Sequence, residues 1–209
     1  MTCSRLIEAM NGPITFVDVG ANIGEFVIDI TRHKNVTHVI AFEPNSDCVE
    51  AIKKSLDLNE VINYDVIEKL VGESIGQRPF AISHSVGGSS LLSQESVASD
   101  SQAAMTTLDF ELASDSQNTI ILIDVEGYEP GVRRGGVEFI KSHQPLIIFE
   151  YNHVSKMHFK SADIKVIIGD NYTIFRLRSD ASLDDDIERA WNCVAIPKNS
   201  IFSKILRAH

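Results

Sequence analysis

Four short, mostly apolar runs are spaced along the chain. They cover Ile14–Val19, His38–Phe42, Ile120–Ile123 and Leu146–Phe149. Each has the length of a strand, is rich in Val, Ile or Phe, and carries apolar residues at odd and even positions alike. Apolar residues on both parities are typical of a parallel strand that is covered on both faces of its sheet. The pattern therefore predicts four buried parallel strands.

Amphipathic segments lie between these runs. Asn22–His33 has apolar residues at helical spacing, and Ser46–Leu58 repeats the pattern, with Ser46 or Asp47 available as an N-cap. Val61–Ile67 follows as a further strand. This alternation of strand and helix predicts an α/β fold with a mostly parallel, doubly wound sheet. We expect one domain that covers residues 1–209.

Two segments depart from the alternation. Near the C-terminus, Tyr172–Leu177 and Trp191–Ile196 flank an acidic linker, which predicts an antiparallel strand pair at the edge of the sheet. Residues 84–106 are rich in serine and have only scattered apolar residues. Because a loop of this length in a compact domain is usually functional or disordered, we predict a substrate-side lid, with disorder as the alternative.

Composition and charge indicate where the protein is located and which classes of partner it disfavours. The chain has 209 residues and a net charge of -10, and its three cysteines form no C-x-x-C pair. No apolar run approaches the ~20 residues of a membrane span, and no signal peptide is evident, so we expect a cytoplasmic protein. The acidic balance disfavours nucleic acid as a partner. A homodimer stays open.

Acidic residues end four of the predicted strands. Each of these strands ends with one acid: Asp18, Glu43, Asp124 and Glu150. Glu126 follows two residues after Asp124. The carboxyl ends of parallel strands share one edge, where open α/β sheets bind their ligands. An acid there can also cap the following helix, but Glu is a poor cap, and clustered acids repel each other without a ligand. The pattern favours a binding site.

The first strand runs into the glycine turn D-V-G-A-N-I-G at Asp18–Gly24. A dinucleotide fingerprint starting at Gly20 needs glycine at positions 22 and 25, where this chain has Asn22 and Glu25. Glu25 would put a carboxylate where the pyrophosphate of NAD binds. The turn suits a nucleoside that carries a cationic centre and no phosphate, and S-adenosylmethionine is such a ligand.

Four further motifs carry a resemblance to a known family. They are A-F-E-P-N at Ala41–Asn45, T-L-D at Thr107–Asp109, I-D-V-E-G-Y-E at Ile123–Glu129 and I-I-F-E-Y-N-H at Ile147–His153. With the glycine turn, they make the chain resemble the FkbM family of methyltransferases from about Phe16 to His153. The resemblance implies a Rossmann-like class I fold and S-adenosylmethionine-dependent methylation of hydroxyl groups on sugars, lipids or secondary metabolites.

The resemblance also implies roles for individual residues. It assigns one group to the methionine part of the cofactor, namely Asp18, Gly20, Ala21 and Asn22. It assigns Glu43 to the ribose hydroxyls and Pro44 to the adenine. Asp124 and Glu126 would lie where the transferred methyl group meets its acceptor. Many members of the family have Lys where this chain has Leu122, so any role of that amine is absent here.

Methyl transfer to a hydroxyl also needs a proton acceptor. The candidates at the carboxyl edge are Glu126, Glu150 and His153, and the sequence leaves the choice open. Asp124, Glu126 and Glu150 are oxygen ligands of the kind that Mg²⁺ accepts, but their spacing demands no metal, and we predict none. Arg133–Arg134 could bind an anionic acceptor, and Ser89–Ser90 could contact the acceptor from the lid.

Two other functions stay open at this point, as does methylation of protein arginine or lysine, which an acidic cleft could bind. An NAD-dependent sugar oxidoreductase would use Glu43 for the ribose, although Asn22 and Glu25 oppose it. A non-catalytic nucleoside-binding protein of the same fold would keep the pocket without the reaction. Methylation of nucleic-acid bases is disfavoured, because D-V-E-G stands where such enzymes have N-P-P-Y or D-P-P-Y.

Overall fold

The computed structural model describes residues 7–8, 10, 12–82, 89–90, 102–113, 118–160, 163–164 and 168–206. In chain order the strands are β1 (Ile14–Val19), β2 (Val36–Phe42), β3 (Tyr64–Ile67), β4 (Leu70–Val71), β5 (Gly76–Pro79), β6 (Ala81–Ile82), β7 (Ser89–Ser90), β8 (Gln102–Thr106), β9 (Asn118–Ile123), β10 (Leu146–Glu150), β11 (Tyr172–Leu177), β12 (Leu183–Asp184) and β13 (Asn192–Pro197). The helices are α1 (Glu25–Ile30), α2 (Ser46–Leu58), α3 (Leu108–Glu111), α4 (Glu129–Arg134), α5 (Val137–His143), α6 (Ser155–His158) and α7 (Ile201–Leu206), with a 3₁₀ turn at Ile187–Arg189.

Within the described residues, the main sheet has eight strands in the order β12-β11-β13-β10-β9-β1-β2-β3. From β3 to β10 neighbouring strands are parallel. β13 runs antiparallel to both β10 and β11, which confirms the predicted antiparallel pair at the C-terminal side. Strand order reverses between β1 and β9, because the chain leaves β1 towards β2 and returns on the other side. The ligand site of such a sheet is expected at the carboxyl ends of these two strands.

Both faces of the sheet are buried, as the apolar runs predict. On one face, Phe16 and Ile120 pack with Val27 of α1 and Ile52 of α2. On the other face, Val17 packs in a second cluster that includes residues of α4 and α5. Neighbouring residues of β1 thus enter opposite layers, because successive side chains of a strand point to opposite faces. This two-sided burial holds the carboxyl ends of β1 and β9 rigidly.

The first helix begins later than predicted, and the second has the predicted bounds, Ser46–Leu58, but another cap. The segment predicted to be helical over 22–33 forms a helix only at Glu25–Ile30, because Asn22 (φ 49°) and Gly24 (φ 83°) adopt left-handed backbone before it. For α2, the predicted caps Ser46 and Asp47 are wrong. The side chain of Asn45 is the cap, and its Oδ1 accepts a hydrogen bond from the amide of Asp47 at 3.0 Å.

The predicted lid over 84–106 is partly ordered as strands. β8 (102–106) pairs antiparallel with β5 and parallel with β4, so the prediction of irregular structure is wrong there. Met105 of β8 is buried with Leu70 and Phe80, which accounts for its order. Residues 84–88 and 91–101 lie outside the described residues, and the lid stays a prediction. So does the expectation of one domain over 1–209.

In the described part of the chain, no helix is long and apolar enough to cross a bilayer.

Candidate active site

The glycine turn after β1 lies directly against the end of β9. Gly20 has φ 89°, and a Cβ built on it would lie 2.1 Å from the carbonyl oxygen of Asp124. The amides of Gly20 and Ala21 both donate to the carbonyl of Phe42 at the end of β2, at 3.0 Å. The turn therefore touches the ends of two neighbouring strands at once, and only glycine fits at position 20.

Glu43 connects the glycine turn to the start of α2. Its Oε2 accepts a hydrogen bond from the amide of Asn22, and its Oε1 accepts one from the amide of Asn45, both at 2.9 Å. Burial raises the pKa of Glu43, and these two bonds oppose that shift. Each carboxylate oxygen has further lone pairs for a ligand. Pro44 follows and is half-buried.

Asp18 lies within β1, between Ala41 of β2 and Leu122 of β9. Its side chain is 1% exposed, and its Oδ2 has no hydrogen-bond partner among the residues that the structure describes. Burial raises its pKa to about 8, and the nearby charges of Asp124 and Glu43 add to the shift. Without a cation beside it, this carboxyl group is therefore mostly protonated at neutral pH.

Three of the predicted site residues form a cluster of carboxylates. Asp124, Glu126 and Glu150 each place one oxygen within 4.8 Å of the others. The side chains of Asp124 and Glu150 are hydrogen-bonded to each other, and burial raises the pKa of both. A hydrogen bond between two carboxyl groups needs one of them to be protonated. The cluster could bind a divalent cation, and the absence of a metal stays a prediction.

The backbone around Glu126 holds its side chain at the edge of the sheet. Glu126 has φ 53° and Gly127 has φ 101°. A Cβ on Gly127 would lie 2.5 Å from the ring of His158, so this turn packs closely on α6. Burial raises the pKa of Glu126, the charge of Asp124 adds to the shift, and His153 opposes it. His153 and Glu126 thus interact, as expected for two groups that share one site.

Asn152 orders the segment that carries Glu150 and His153. Its Oδ1 accepts hydrogen bonds from the amides of Val154 (2.7 Å) and Ser155 (3.0 Å), where α6 begins. Its side chain also hydrogen-bonds to Glu150, which lowers the pKa of that group against the larger effect of burial. The motif at 147–153 therefore supplies two of the three candidate bases, Glu150 and His153, and the residue that orders their segment.

Two further residues lie near the cluster although the sequence did not predict them as site residues. Glu129 is 4% exposed, accepts a hydrogen bond from the amide of Gly127 at 3.1 Å, and leaves Oε2 without a partner. Burial raises its pKa to about 7. As the last letter of D-V-E-G-Y-E, it could have been chosen from the motif. Trp191 also lies at this edge, beside His153, with ring centroids 6.2 Å apart.

Two proposed acceptor contacts find no support in the structure. Arg133 is buried in a core, where burial lowers its pKa to about 10, and Arg134 donates to Glu73 at 2.6 Å. Arg134 is thus paired with a carboxylate, whereas the buried Arg133 has no hydrogen-bond partner at Nε and Nη1 among the described residues. Ser89–Ser90 form β7, which pairs with β6, and their side chains lie outside the described part of the structure.

Comparison with known families identifies the chain. The model of the methyltransferase FkbM domain matches residues 18–173, well over half of the protein. This chain belongs to the FkbM methyltransferase family. The match includes the glycine turn, Glu43, the carboxylate cluster and His153. Comparison with curated protein sequences finds no match.

Solved structures place this FkbM family member among the class I methyltransferases by fold. Methyltransferase FkbM from Methylobacillus flagellatus is similar with a TM-score of 0.60 and 20% identity, over 88% of this chain and 43% of that protein. The chain thus spans less than half the length of that relative. The ribosomal protein L11 methylase of Lactobacillus delbrueckii has a TM-score of 0.52 and 14% identity, over 93% of this chain and 75% of its own. A Streptococcus mutans protein solved in complex with SAH has a TM-score of 0.53 and 7% identity, over 92% and 93%.

Proposed function

We propose that this FkbM family member uses S-adenosylmethionine to methylate a hydroxyl group of a sugar, glycan or related metabolite. The observation that carries the proposal is the set of carboxyl groups around the glycine turn. Asp18 lies buried with an unpartnered oxygen, and Glu43, Asp124 and Glu150 share the same sheet edge. A buried, unpaired acid is stabilised by a cationic ligand. The family and one SAH-bound structure of this fold point to the same cofactor.

The residues at the turn fit the parts of this cofactor. Glu43 has the acceptor lone pairs to bind two ribose hydroxyls while the amides of Asn22 and Asn45 hold it in place. The half-buried Pro44 offers an apolar surface for the adenine. The remaining groups would hold the methionine part, with its ammonium and sulfonium charges: Asp18, Gly20, Ala21, Asn22 and Asp124. When bound, the cofactor supplies a methyl group on a sulfonium.

The protein must orient the acceptor and remove its proton. Glu126, Glu150 and His153 stand at the same edge, and Glu126 interacts with His153. We place Glu126 nearest the reacting hydroxyl, where a carboxylate accepts its proton directly or orients His153 to do so. A positioned base contributes roughly 10²–10⁴-fold to such a rate. Holding the acceptor oxygen in line with the methyl group contributes as well.

The two alternative functions have less support. The carboxylate of Glu25, in the first turn of α1, opposes a pyrophosphate and therefore NAD. A non-catalytic binding protein would not need Glu126, Glu150 and His153 together beyond the cofactor residues. Nucleic acid also fits an acidic edge poorly.

Calorimetry and product analysis test the proposal. We expect S-adenosylhomocysteine to bind and NAD to show no binding at the same concentration. Tight NAD binding with no response to S-adenosylhomocysteine would refute the cofactor. Mass spectrometry of a mixture of hydroxyl acceptors with S-adenosylmethionine would then show a methylated product. Cofactor binding without product from any acceptor would favour the non-catalytic alternative.

A further inference from the structure

Trp191 is the only tryptophan of the chain, and 61% of it is exposed. It directly precedes β13, which runs antiparallel to β10, with Asn192 in register with Glu150. The amide of Tyr151 donates to the carbonyl of Trp191 at 2.8 Å. An antiparallel strand begins where its parallel neighbour ends. Trp191 therefore stands at the same edge as the carboxylate cluster.

The backbone that carries Trp191 is held firmly although its ring is exposed. Lys156 donates from Nζ to the carbonyls of Glu188 and Ala190, both at 2.9 Å, and lies 4.9 Å from the ring centroid of Tyr151. The turn before β13 is thus tied to α6 and to the end of β10. A fixed backbone under an exposed indole suits a binding surface, since little conformational entropy is lost when a ligand binds.

The indole adjoins the proposed catalytic groups. Its ring centroid lies 6.2 Å from that of His153, with the planes tilted by 55°, and His153 in turn interacts with Glu126. Ile62 is also exposed but precedes β3 at the opposite edge of the sheet, whereas the exposed Ile23 and Met157 lie in the glycine turn and in α6. Single exposed apolar residues are common and need no function. Trp191 differs because it is aromatic and its ring lies beside that of His153.

We infer that Trp191 is the floor of an acceptor subsite that binds the face of a neutral or amino-bearing sugar ring. This inference rests on the proposed function and narrows its acceptor class. The C–H face of a pyranose packs on an indole, while the ring hydroxyls at its rim donate hydrogen bonds to carboxylates such as Glu126. A protonated amino group on the sugar would be attracted by the same carboxylates and by the face of the indole ring.

Local charge argues against an anionic acceptor. Asp124, Glu126 and Glu150 face this edge. Lys156 is occupied by two backbone carbonyls, and Arg134 is paired with Glu73. Of the other basic residues near this edge, Arg189 is paired with Asp186, and His153 and His158 are histidines, which carry charge only when protonated. A uronic acid or sugar phosphate would therefore meet mostly negative charge.

Fluorescence of the single tryptophan tests the subsite directly. The full chain, saturated with S-adenosylhomocysteine, is titrated with methyl glycosides of glucose, galactose, mannose, rhamnose, glucosamine and glucuronic acid. We expect a saturable change of Trp191 emission with at least one neutral or amino glycoside, and at least about tenfold weaker binding of the glucuronide. No saturable change with any glycoside, or strongest binding of the glucuronide, would overturn the inference.

Variants separate this inference from the proposed function. With any glycoside that is methylated, Trp191→Ala should raise KM about tenfold, leave kcat within about threefold and spare S-adenosylhomocysteine binding, and Trp191→Phe should recover most of the loss. Ile62→Ala is the control for an exposed apolar residue outside the site. An unchanged KM in Trp191→Ala with active enzyme would refute the subsite alone. Absence of methyl transfer by wild-type protein would refute the proposed function, whatever the fluorescence shows.

Discussion

The amide of Asn22 donates a hydrogen bond to Oε2 of Glu43 across 2.9 Å. This bond joins the turn after β1 to the turn after β2, residues that are 21 positions apart in the chain. It holds the carboxylate that we assign to the ribose against the backbone that we assign to the methionine. The two parts of the proposed cofactor site are therefore positioned by one contact.

Replacement of Glu43 should weaken cofactor binding. Glu43→Gln puts an amide nitrogen opposite the amide of either Asn22 or Asn45 and removes the charge that accepts the ribose hydroxyls. We expect S-adenosylhomocysteine affinity, measured by calorimetry, to fall about 10–100-fold. Glu50→Gln, on the exposed side of α2, is the control and should bind as wild type. Equal affinity of both variants would show that Glu43 does not contact the ribose.

Substitution of Gly20 should destabilise the fold. In Gly20→Ala the new Cβ meets the carbonyl oxygen of Asp124 at 2.1 Å, and φ is 89°. Gly169→Ala is a matched control, because φ is 87° there and nothing lies within 4 Å of the new Cβ. Backbone strain alone costs roughly 1–2 kcal/mol, so Gly20→Ala should lose clearly more free energy of unfolding. Urea denaturation measures both, and equal losses would contradict the close approach of β1 and β9.

Asp18 should make the unfolding free energy depend on pH. Its pKa is about 8 in the folded protein, against an ordinary value of 3.8 for an aspartate in water. Between these two pKa values the native state binds more protons than the unfolded state. The contribution of Asp18 to the free energy of unfolding therefore falls as pH rises and is constant above about pH 8.

A neutral replacement isolates that contribution. The free energy of unfolding of Asp18→Asn relative to wild type should increase with pH, on the order of 1 kcal/mol per unit between about pH 5 and 8. Urea denaturation at several pH values measures the difference. A difference that is independent of pH would show that Asp18 is not held protonated in the native state.

Glu126 should matter for turnover more than for cofactor binding. Glu126→Gln keeps the size of the side chain but removes the carboxylate beside the acceptor. We expect kcat to fall about 10²-fold or more, with S-adenosylhomocysteine affinity little changed. Glu25→Gln, in the first turn of α1, is the control. If Glu126→Gln keeps full kcat while His153→Gln loses it, His153 acts without Glu126.

Removal of metal ions should not affect the enzyme. Asp124 and Glu150 are hydrogen-bonded to each other, so a shared proton reduces the charge of the cluster without a cation. We expect equal methyl transfer before and after treatment with excess EDTA. Loss of activity that Mg²⁺ restores would instead show that Asp124, Glu126 and Glu150 bind a metal ion.

Much of the fold follows from short-range patterns. The runs that form β1, β2, β9 and β10 are recognisable because a strand covered on both faces must be apolar at every position. By contrast, β8 is a strand because Met105 packs against residues more than twenty positions away in sequence, among them Phe80. The late start of α1 depends on left-handed backbone at Asn22 and Gly24, which the apolar spacing of that segment does not reveal.

The sequence by itself determined the parallel α/β core, the carboxylates at its edge and, through its motifs, the FkbM family. These features depend on residues near each other in the chain, so their spacing carries the information. Only the tertiary structure decided that Asp18 is buried without a full set of partners, that Asp124 and Glu150 share a hydrogen bond, and that Trp191 borders His153. Each of these contacts depends on how separate strands are ordered and paired, which no local pattern specifies.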